Sequence, residues 1–286
     1  MEFVDWFNLN DPEVALRVSQ TTENIPSFLS RNPNAVDCLE ANPQWIDWTA
    51  LSRNPNAVGL LFENQHKIEW WYLSANPNAL PLIEANKQKI NWYWLGTNPS
   101  AMSIIENSLK QNPTSSNQLW GSIARNTNPR AIEIIRENME KVDLNQLCAN
   151  PSAVGLLEEF PEKIGYRFLL ENPNAEKLLR RKLLEDPEFY EKTTKSDLYK
   201  FYLSSNPCAI SILKEHPELI SWSALGQNPN PEAMDLIVRN QELMDIYYLS
   251  KNPNAFHILE TRVSDMDWFG NLLENPCIFE YKPLLK

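Results

Sequence analysis

The sequence predicts an all-α fold, an α-solenoid of tandem two-helix repeats of about 22 residues. Three observations predict it. An Asn-Pro-x-Ala tetrad, in which x varies, recurs along the chain of 286 residues. Apolar residues follow each tetrad at helical spacing. The chain also has 21 prolines but 7 glycines, which favours short helices that begin at regular Asn-Pro signals over flexible linkers.

The spacing of the tetrads sets the repeat length. Successive asparagines stand 22, 22, 22, 30, 22, 22, 34, 24 and 22 residues apart. They are Asn32, Asn54, Asn76, Asn98, Asn128, Asn150, Asn172, Asn206, Asn230 and Asn252. Units this short bury their apolar faces only by stacking on one another. We therefore expect one α-helical repeat domain over residues 1–286, with a degenerate cap at 1–31, an array at 32–263 and a second degenerate cap at 264–286.

Each unit predicts two short helices. In the first half, as at residues 54–61, asparagine is a favoured N-cap and proline suits the first helical position. The second half begins with an apolar residue, which is followed by Asp, Asn or Ser and then by Trp. A Leu comes three residues after the Trp, as at 46–51, 90–95 and 220–225. Its polar residue is expected to cap the second helix. A further hypothesis is that the tetrad asparagine donates its amide to the adjacent unit, which would form a ladder.

Alanine occupies the fourth position of the tetrad in all ten copies. A small residue kept at one position predicts close approach of a neighbouring helix. These alanines are Ala35, Ala57, Ala79, Ala101, Ala131, Ala153, Ala175, Ala209, Ala233 and Ala255.

Two insertions interrupt the period, near residues 110–117 and 183–195. Both enter between the two helices of a unit. Insertions at one position of a solenoid emerge on one edge, often the binding edge; the alternative is that they bend or break the array. The first, KQNPTSSN, is polar and rich in turn residues, and the second, LLEDPEFYEKTTK, is charged and expected to lengthen a helix.

The formal net charge of −11 argues against nucleic acid and anionic membranes as partners, because both require a basic surface. We interpret the acidity as a source of solubility; mimicry of nucleic acid is the alternative. The first residues are acidic and no apolar segment approaches the ~20 residues of a membrane span, so we expect neither a signal peptide nor a transmembrane helix. The four cysteines lack metal-site spacing, and we expect reduced thiols, with Cys38 and Cys148 buried, in a cytosolic setting.

No motif indicates an enzyme. The histidines His66, His216 and His257 fall in different units, and the chain has no nucleophile elbow or glycine-rich phosphate loop. We therefore expect no catalytic residue, no cofactor and no metal ion.

The tetrad asparagines could be read as a recognition code, as in helical RNA-binding repeats. Those repeats are basic on the reading face, whereas this chain is acidic, so we interpret the asparagines as structural. The variable third position of the tetrad is expected to face outward, either as solvated turn or as a contact for a partner.

The position after the repeated tryptophan is the best candidate for an interaction surface. The tryptophans are expected to be core residues: Trp48, Trp70, Trp92, Trp120, Trp222 and Trp268. The next position holds Gly, Asn or Arg in some copies, so it is not uniformly buried. Its large side chains are expected to form a stripe that binds a protein; the alternative is that they wedge between units. The candidates are Trp71, Tyr93, Arg167, Phe201, Tyr247 and Phe269.

The unit spelled at Leu51–Trp70 and Leu73–Trp92 resembles a short helical repeat found in many copies in proteins of large DNA viruses. The resemblance covers nearly the whole chain. It implies an all-helical repeat protein of viral origin, in the host cytoplasm or in the virion, and carries no catalytic residues. The copies at Asn128, Asn206 and Asn230 depart from the pattern through insertions or substitutions.

These observations favour a non-enzymatic scaffold that binds one or more protein partners through an exposed row of variable repeat positions. The alternative hypothesis is a structural component of a virus particle, such as a minor capsid or cement protein. An enzyme or a nucleic-acid reader would need a concave site that gathers histidines and carboxylates, or a basic stripe, and the sequence indicates neither.

Overall fold

The computed structural model describes residues 2–3, 24–111, 113–261, 272–273 and 275–280. Most of the predicted caps at 1–31 and 264–286 therefore lies outside the described residues. The chain is all-helical, with many short helices. Two strands of two residues each, β1 (Glu2–Phe3) and β2 (Phe279–Glu280), pair antiparallel and join the two ends of the described chain.

The helices fall into two classes that alternate along the chain. A first helix follows each Asn-Pro-x-Ala tetrad, in many units after a 3₁₀ turn over the tetrad itself, such as Pro55–Ala57. The first helices are Val36–Ala41, Val58–Glu63, Leu80–Ala85, Met102–Gln111, Pro129–Arg136, Val154–Glu159, Glu176–Glu185, Ile210–Glu215, Ala233–Arg239 and Phe256–Glu260.

A second helix precedes each tetrad, and in most units a short 3₁₀ turn, such as Gln65–Lys67, separates it from the first helix. The second helices are Ile25–Arg31, Trp48–Leu51, Trp70–Ser74, Trp92–Gly96, Pro113–Trp120, Leu144–Cys148, Tyr166–Leu169, Asp197–Ser205, Trp222–Gly226 and Ile246–Leu249.

The predicted caps explain why these helices begin where they do. The side-chain oxygen of Asn54 accepts a hydrogen bond from the Asn56 N–H at 3.0 Å, which satisfies a donor at the start of the helical turn. Asp47 and Asn91 cap second helices in the same way. The prediction is wrong for Ser221, because its hydroxyl lies 3.2 Å from that of Ser223 and makes no bond to the helix backbone.

The hypothesis of an asparagine ladder is confirmed. The amide of Asn54 donates to the backbone carbonyls of Ser30 and Asn32, each at 3.0 Å, in the preceding unit. The same pair of hydrogen bonds recurs in every unit, and all the asparagines that make it are buried. These ladder asparagines are Asn32, Asn54, Asn76, Asn98, Asn126, Asn150, Asn172, Asn206, Asn228, Asn252 and Asn275.

The ladder closes on itself. Asn32, the first ladder asparagine, donates to the carbonyls of Leu273 (3.0 Å) and Asn275 (3.1 Å), which belong to the last one. Asn34 also donates to the carbonyl of Pro276 at 3.0 Å. Because every other ladder asparagine donates to the one before it in the sequence, these bonds form a closed cycle through the described residues.

Two ladder residues differ from the predicted ones. Asn126 and Asn228, and not Asn128 and Asn230, make the ladder bonds. These units read Asn-x-Asn-Pro. The ladder asparagine therefore stands two residues before the asparagine of the Asn-Pro pair. Asn128 and Asn230 instead donate to proline carbonyls of the preceding unit at 2.8 Å and cap the helix through their oxygens.

Two more sets of hydrogen bonds connect adjacent units. The third tetrad residue faces outward as expected at Asn56, Asn78 and Asn174, which are exposed. Asn56 also donates to the carbonyl of Pro33 in the preceding unit at 2.9 Å, and Asn78 and Asn174 make the equivalent bond to the proline of the unit before theirs. The serine that ends a second helix also bonds across units, since the Ser52 hydroxyl accepts from the Glu69 N–H at 3.0 Å. In the unit of Cys148 a thiol takes the place of this hydroxyl, accepting from Gly165 at 3.2 Å.

The core lies between the units. All ten tetrad alanines have no exposed surface, which agrees with the predicted close approach of helices. Trp48, Trp70, Trp92, Trp120 and Trp222 are partly buried and pack against this core, as predicted; Trp268 lies outside the described residues. A lysine of the following unit covers some of these rings: the ammonium of Lys67 stands 4.4 Å from the Trp48 ring centre.

Both insertions add helix. Residues 110–111 extend a first helix and 113–117 begin a second helix, so these turn-type residues are helical, with Pro113 at the first helical position. The second insertion lengthens the helix that ends at Glu185, as predicted, and adds the helix Pro187–Lys195. No helix in the described residues is long and apolar enough to cross a bilayer.

Candidate interaction surface

The five described positions among those predicted to bind a partner lie on second helices. Trp71 and Tyr247 project into solvent, with 61% and 50% of their surface exposed. Tyr93, Arg167 and Phe201 are partly buried. Phe269 lies outside the described residues.

One arginine–aromatic group, here the N-terminal cluster, comprises Arg53, Tyr72, Tyr93 and Trp94. The guanidinium of Arg53 lies 5.5 Å from the Tyr72 ring centre and 5.7 Å from that of Trp94. The Tyr72 and Trp94 rings lie 6.0 Å apart, and Tyr93 meets Trp94 edge to face at 5.8 Å. An arginine in this position is attracted to the negative faces of the rings, and its N–H groups can still donate to a further partner. Trp71 precedes Tyr72 on the same helix.

A second group, the C-terminal cluster, comprises Arg167, Phe168, Phe201, Tyr202, Tyr247 and Tyr248. Arg167 lies over the rings of Phe168 (4.5 Å) and Tyr202 (5.0 Å) and donates to the Tyr202 hydroxyl at 3.1 Å. Phe201 meets Tyr248 at 5.7 Å, and Tyr248 meets Tyr247 at 5.2 Å. Arg167 and Phe201 thus pack across units, whereas Trp71 and Tyr247 are the exposed members of the candidate set within the described residues.

Sequence reasoning missed three of the four residues of the N-terminal cluster and three of the six of the C-terminal cluster. Tyr72, Trp94, Phe168, Tyr202 and Tyr248 occupy the next position along the second helix. That position also holds Ala50 and Ala224, which are buried. The available signal was the pairing of large residues at two successive positions, as in Trp71-Tyr72 and Tyr247-Tyr248.

Two contacts in these clusters skip a unit. Arg53 follows the second helix Trp48–Leu51, yet it reaches Trp94, which lies two units further along. Phe201 likewise reaches Tyr248 past the intervening helix Trp222–Gly226. Ion pairs between first helices, by contrast, join adjacent units, as for Arg136 with Glu159. In the described residues these second-helix contacts thus span two units, whereas ion pairs such as that of Arg136 with Glu159 join neighbouring units.

Charged residues are distributed unevenly between the ends of the second helices and the first helices. The residue directly before each ladder asparagine lies at the end of the second helix or shortly after it. In the described residues it is basic four times, at Arg31, Arg53, Arg125 and Lys251, and acidic once, at Glu171. Glu171 lies 3.9 Å from Arg167. Many glutamates stand on first helices instead, where Glu106, Glu158, Glu159 and Glu215 pair with cations of adjacent units.

A surface depression of about 330 Å³ lies on the second-helix side, between the two clusters. Arg125, Asn145, Gln146, Phe168 and Glu171 contribute to its lining. The side-chain oxygen of Gln146 is buried and has no hydrogen-bond partner, while its nitrogen donates to Asp143 at 3.0 Å. An unsatisfied acceptor at this place would take an N–H from a bound molecule.

The described residues gather no metal-binding set. No group of three or more His, Cys, Asp or Glu side chains within them could hold a metal ion. All four cysteines are free; Cys148 is buried, and Cys38 is only partly buried, contrary to expectation. Burial nevertheless raises the pKa of the Cys38 thiol to about 11, so the thiol is unreactive near neutral pH.

Tyr190, His216 and Glu218 come together on the surface beside the second insertion. The Tyr190 hydroxyl donates to Glu218 and lies 3.0 Å from Nδ1 of His216. The hydrogen bond from Tyr190 lowers the pKa of Glu218. These bonds fasten the inserted helix Pro187–Lys195 to the next unit.

No protein-family model matches the chain, and comparisons with curated proteins and with solved structures find no match either.

Proposed function

We propose that the chain is an α-solenoid of two-helix units that curves into a closed ring. The closed cycle of ladder hydrogen bonds supports this architecture, because the bonds from Asn32 to Leu273 and Asn275 repeat those of every other unit. Eleven units packed at the usual helix separation would place the second helices on a circle of roughly 15 Å radius. In such a ring the second helices, with both arginine–aromatic clusters, line the inner side.

The chain acts as a non-enzymatic scaffold that binds a protein partner through these clusters. The observation that carries this proposal is the exposed pair Trp71 and Tyr247, each beside rings covered by a cation. Tryptophan, tyrosine and arginine dominate the energetics of protein interfaces, because they bury large areas and still offer polar contacts. Trp71 and Tyr247 are exposed and lie next to packed rings, so a partner gains area there without ordering the site first.

Affinity purification from the native source with quantitative mass spectrometry tests this function. A Trp71→Ser/Tyr247→Ser variant is compared with wild type and with Phe62→Ser. Phe62 is a matched control, because it is 63% exposed but lies on a first helix. We expect a stoichiometric partner that wild type and Phe62→Ser retain and the double variant loses. If all three proteins recover the partner equally, the clusters are not part of the interface.

On the strength of the repeat resemblance, we also propose a viral origin, with the chain in the host cytoplasm or in the virion. The same purification tests it through the identity of the partner. If the partner is a capsid or core protein, the chain is a component of the virus particle.

A further inference from the structure

We propose that the depression beside Trp92 is a binding site for an alkylammonium group, such as the end of a lysine side chain. Neither arginine–aromatic cluster includes a residue of this site, so the inference goes beyond the proposed function. Two depressions at equivalent places in successive units carry it. Cations of the chain itself bind the ring and the carboxylate of the second depression, and at the first the equivalent positions hold uncharged residues.

In three of the described units a lysine of the following unit covers the repeated tryptophan. Each of these lysines is the last residue of a short 3₁₀ turn. The place in front of the tryptophan ring is thus one that the repeat itself fills with an ammonium group. The pairs, with the distance from the ammonium to the ring centre, are Lys67 with Trp48 (4.4 Å), Lys89 with Trp70 (4.6 Å) and Lys141 with Trp120 (5.1 Å).

Trp92 lacks this lysine because of the first insertion. The first helix of the following unit continues to Gln111, so a glutamine stands where the other units end a 3₁₀ turn with lysine. Among the described residues no cation lies over the Trp92 ring. The side chains at 112–116 lie outside the described residues, but they are Asn, Pro, Thr and Ser, so none of them can supply a cation.

The two depressions share the same set of positions. Their volumes are about 400 Å³ beside Trp92 and about 320 Å³ beside Trp120, within the range of about 300–1,000 Å³ that small-ligand sites have. Each is lined by the repeated tryptophan, a glutamate of a first helix and two residues of the following unit. Trp92, Glu84, Ile104 and Gln111 at the first correspond to Trp120, Glu106, Ile134 and Lys141 at the second.

The glutamates of the two depressions differ in their partners. Arg130 donates to Glu106 at 3.0 Å, and this arginine is the third residue of its tetrad. The equivalent tetrad residue one unit earlier is Ser100, and among the described residues no cation pairs with the exposed Glu84. Trp92 and Glu84 therefore offer a ring and a carboxylate of the kind that hold two cations in the next unit.

The lining of the depression selects an ammonium group on an alkyl chain. The ammonium is attracted to the ring face and to Glu84, and the alkyl chain can lie against Ile90 and Ile104, which also line the depression. Lys87 lines it as well, and its charge opposes that of a bound ammonium. Replacing Lys87 by an uncharged residue should therefore strengthen binding. A lysine side chain of a protein and a free alkylamine share this chemistry.

The test is a titration of the full ¹⁵N-labelled chain, followed through the indole N–H resonance of Trp92, which is assigned by its loss in Trp92→Phe. The probes are the acetylated and amidated peptide Gly-Ser-Lys-Ser-Gly, the same peptide with glutamine for lysine, and butylamine. We expect the lysine peptide and butylamine to shift the resonance and the glutamine peptide to leave it unchanged. The tighter binder of the two identifies the source of the ammonium group, a protein lysine or a free amine.

Three surface variants locate the binding. Gln111→Lys should weaken binding of the lysine peptide roughly tenfold, because it supplies the cation that the other units place over the ring. Glu84→Gln should weaken it roughly threefold, as expected for an exposed ion pair, and Lys87→Gln should strengthen it by a similar factor.

The control variant is Gln44→Lys, which adds the same charge at an exposed position of the 3₁₀ turn Pro43–Trp45 and should bind like wild type. Equal loss in Gln44→Lys and Gln111→Lys would overturn the site, because the effect would then come from net charge alone. Equal shifts with both peptides, or unchanged binding by Gln111→Lys, would overturn it as well.

Discussion

The side chain of Asn32 donates a hydrogen bond to the backbone carbonyl of Asn275, 3.1 Å away, although 242 residues lie between them. The bond from Asn54 to Asn32 joins the same kinds of atom, a side-chain amide nitrogen and a backbone carbonyl oxygen, at nearly the same distance. Both side chains at this junction are buried. In the described residues the two ends of the ladder are therefore joined by the same hydrogen bonds that join its other units.

Replacing Asn76 by alanine should strongly destabilise the fold. The change removes the cap on the Asn78 N–H and the two donors to the carbonyls of Ser52 and Asn54, all of them part-buried or buried. We expect a loss of about 2–4 kcal/mol in the free energy of unfolding, measured by urea denaturation. Asn86→Ala is the control, because Asn86 bonds only within its own unit, to Leu82. A loss equal to that of the control would mean that the ladder contributes little.

Enlarging the alanine column should also destabilise the fold. Ala79 has no exposed surface and lies where adjacent units approach most closely. We expect Ala79→Leu to cost about 1–3 kcal/mol through overpacking, with a matching fall in the thermal midpoint. An unchanged midpoint would show that the units can move apart at this position.

Two glycines should respond oppositely to alanine. A Cβ at Gly96 would lie 2.1 Å from the Ser122 hydroxyl in the next unit, whereas a Cβ at Gly59 would meet nothing within 4 Å. We expect Gly96→Ala to cost about 1–2 kcal/mol and Gly59→Ala to add about 0.5–1 kcal/mol, since alanine restricts the unfolded chain. Adding Ser122→Ala to the Gly96→Ala background should restore part of the loss. If both glycine variants stabilise equally, the contact between Gly96 and Ser122 is not close.

Ion pairs between first helices should give stability that depends on pH. The hydrogen bond from Arg130 holds the pKa of Glu106 below its ordinary value in the folded chain. Such a depressed pKa stabilises the fold above the unfolded-state pKa of about 4.3, and this contribution is lost as the pH falls through the folded value. Arg130→Gln should therefore lower the thermal midpoint slightly at neutral pH and not at about pH 3. A difference that grows on acidification would contradict this assignment.

The local structure was largely predictable from the sequence because each unit repeats the same chemistry. Asn-Pro fixes a helix start, and a constant alanine marks a close contact, so the ladder at Asn54 or Asn76 follows from the motif. The shift to Asn126 and Asn228 was not predictable, because both asparagines of Asn-x-Asn-Pro are good caps. Only the spacing of the preceding unit decides which one reaches its carbonyls.

The candidate surface was predicted only in part. Exposure at Trp71 and Tyr247 followed from the variability of their position, but the contacts of Arg53 with Trp94 and of Phe201 with Tyr248 depend on how strongly the stack curves. Curvature is the sum of small rotations between units, and no single motif encodes it. The bond from Asn32 to Asn275 joins the two ends of the ladder and was equally hidden in the sequence.

The central claim is tested most directly by the distance between the two ends of the ladder. Nitroxide labels are placed on Cys277 and on Asn34→Cys, with the other cysteines replaced; cysteine already occupies this tetrad position at Cys208 and Cys277. A closed ring predicts labels in adjacent units, within about 20 Å of each other, whereas an open stack of eleven units would extend to about 90 Å. Dipolar coupling at the short distance is the predicted result, and a distribution centred at several tens of ångströms would contradict the closed ring.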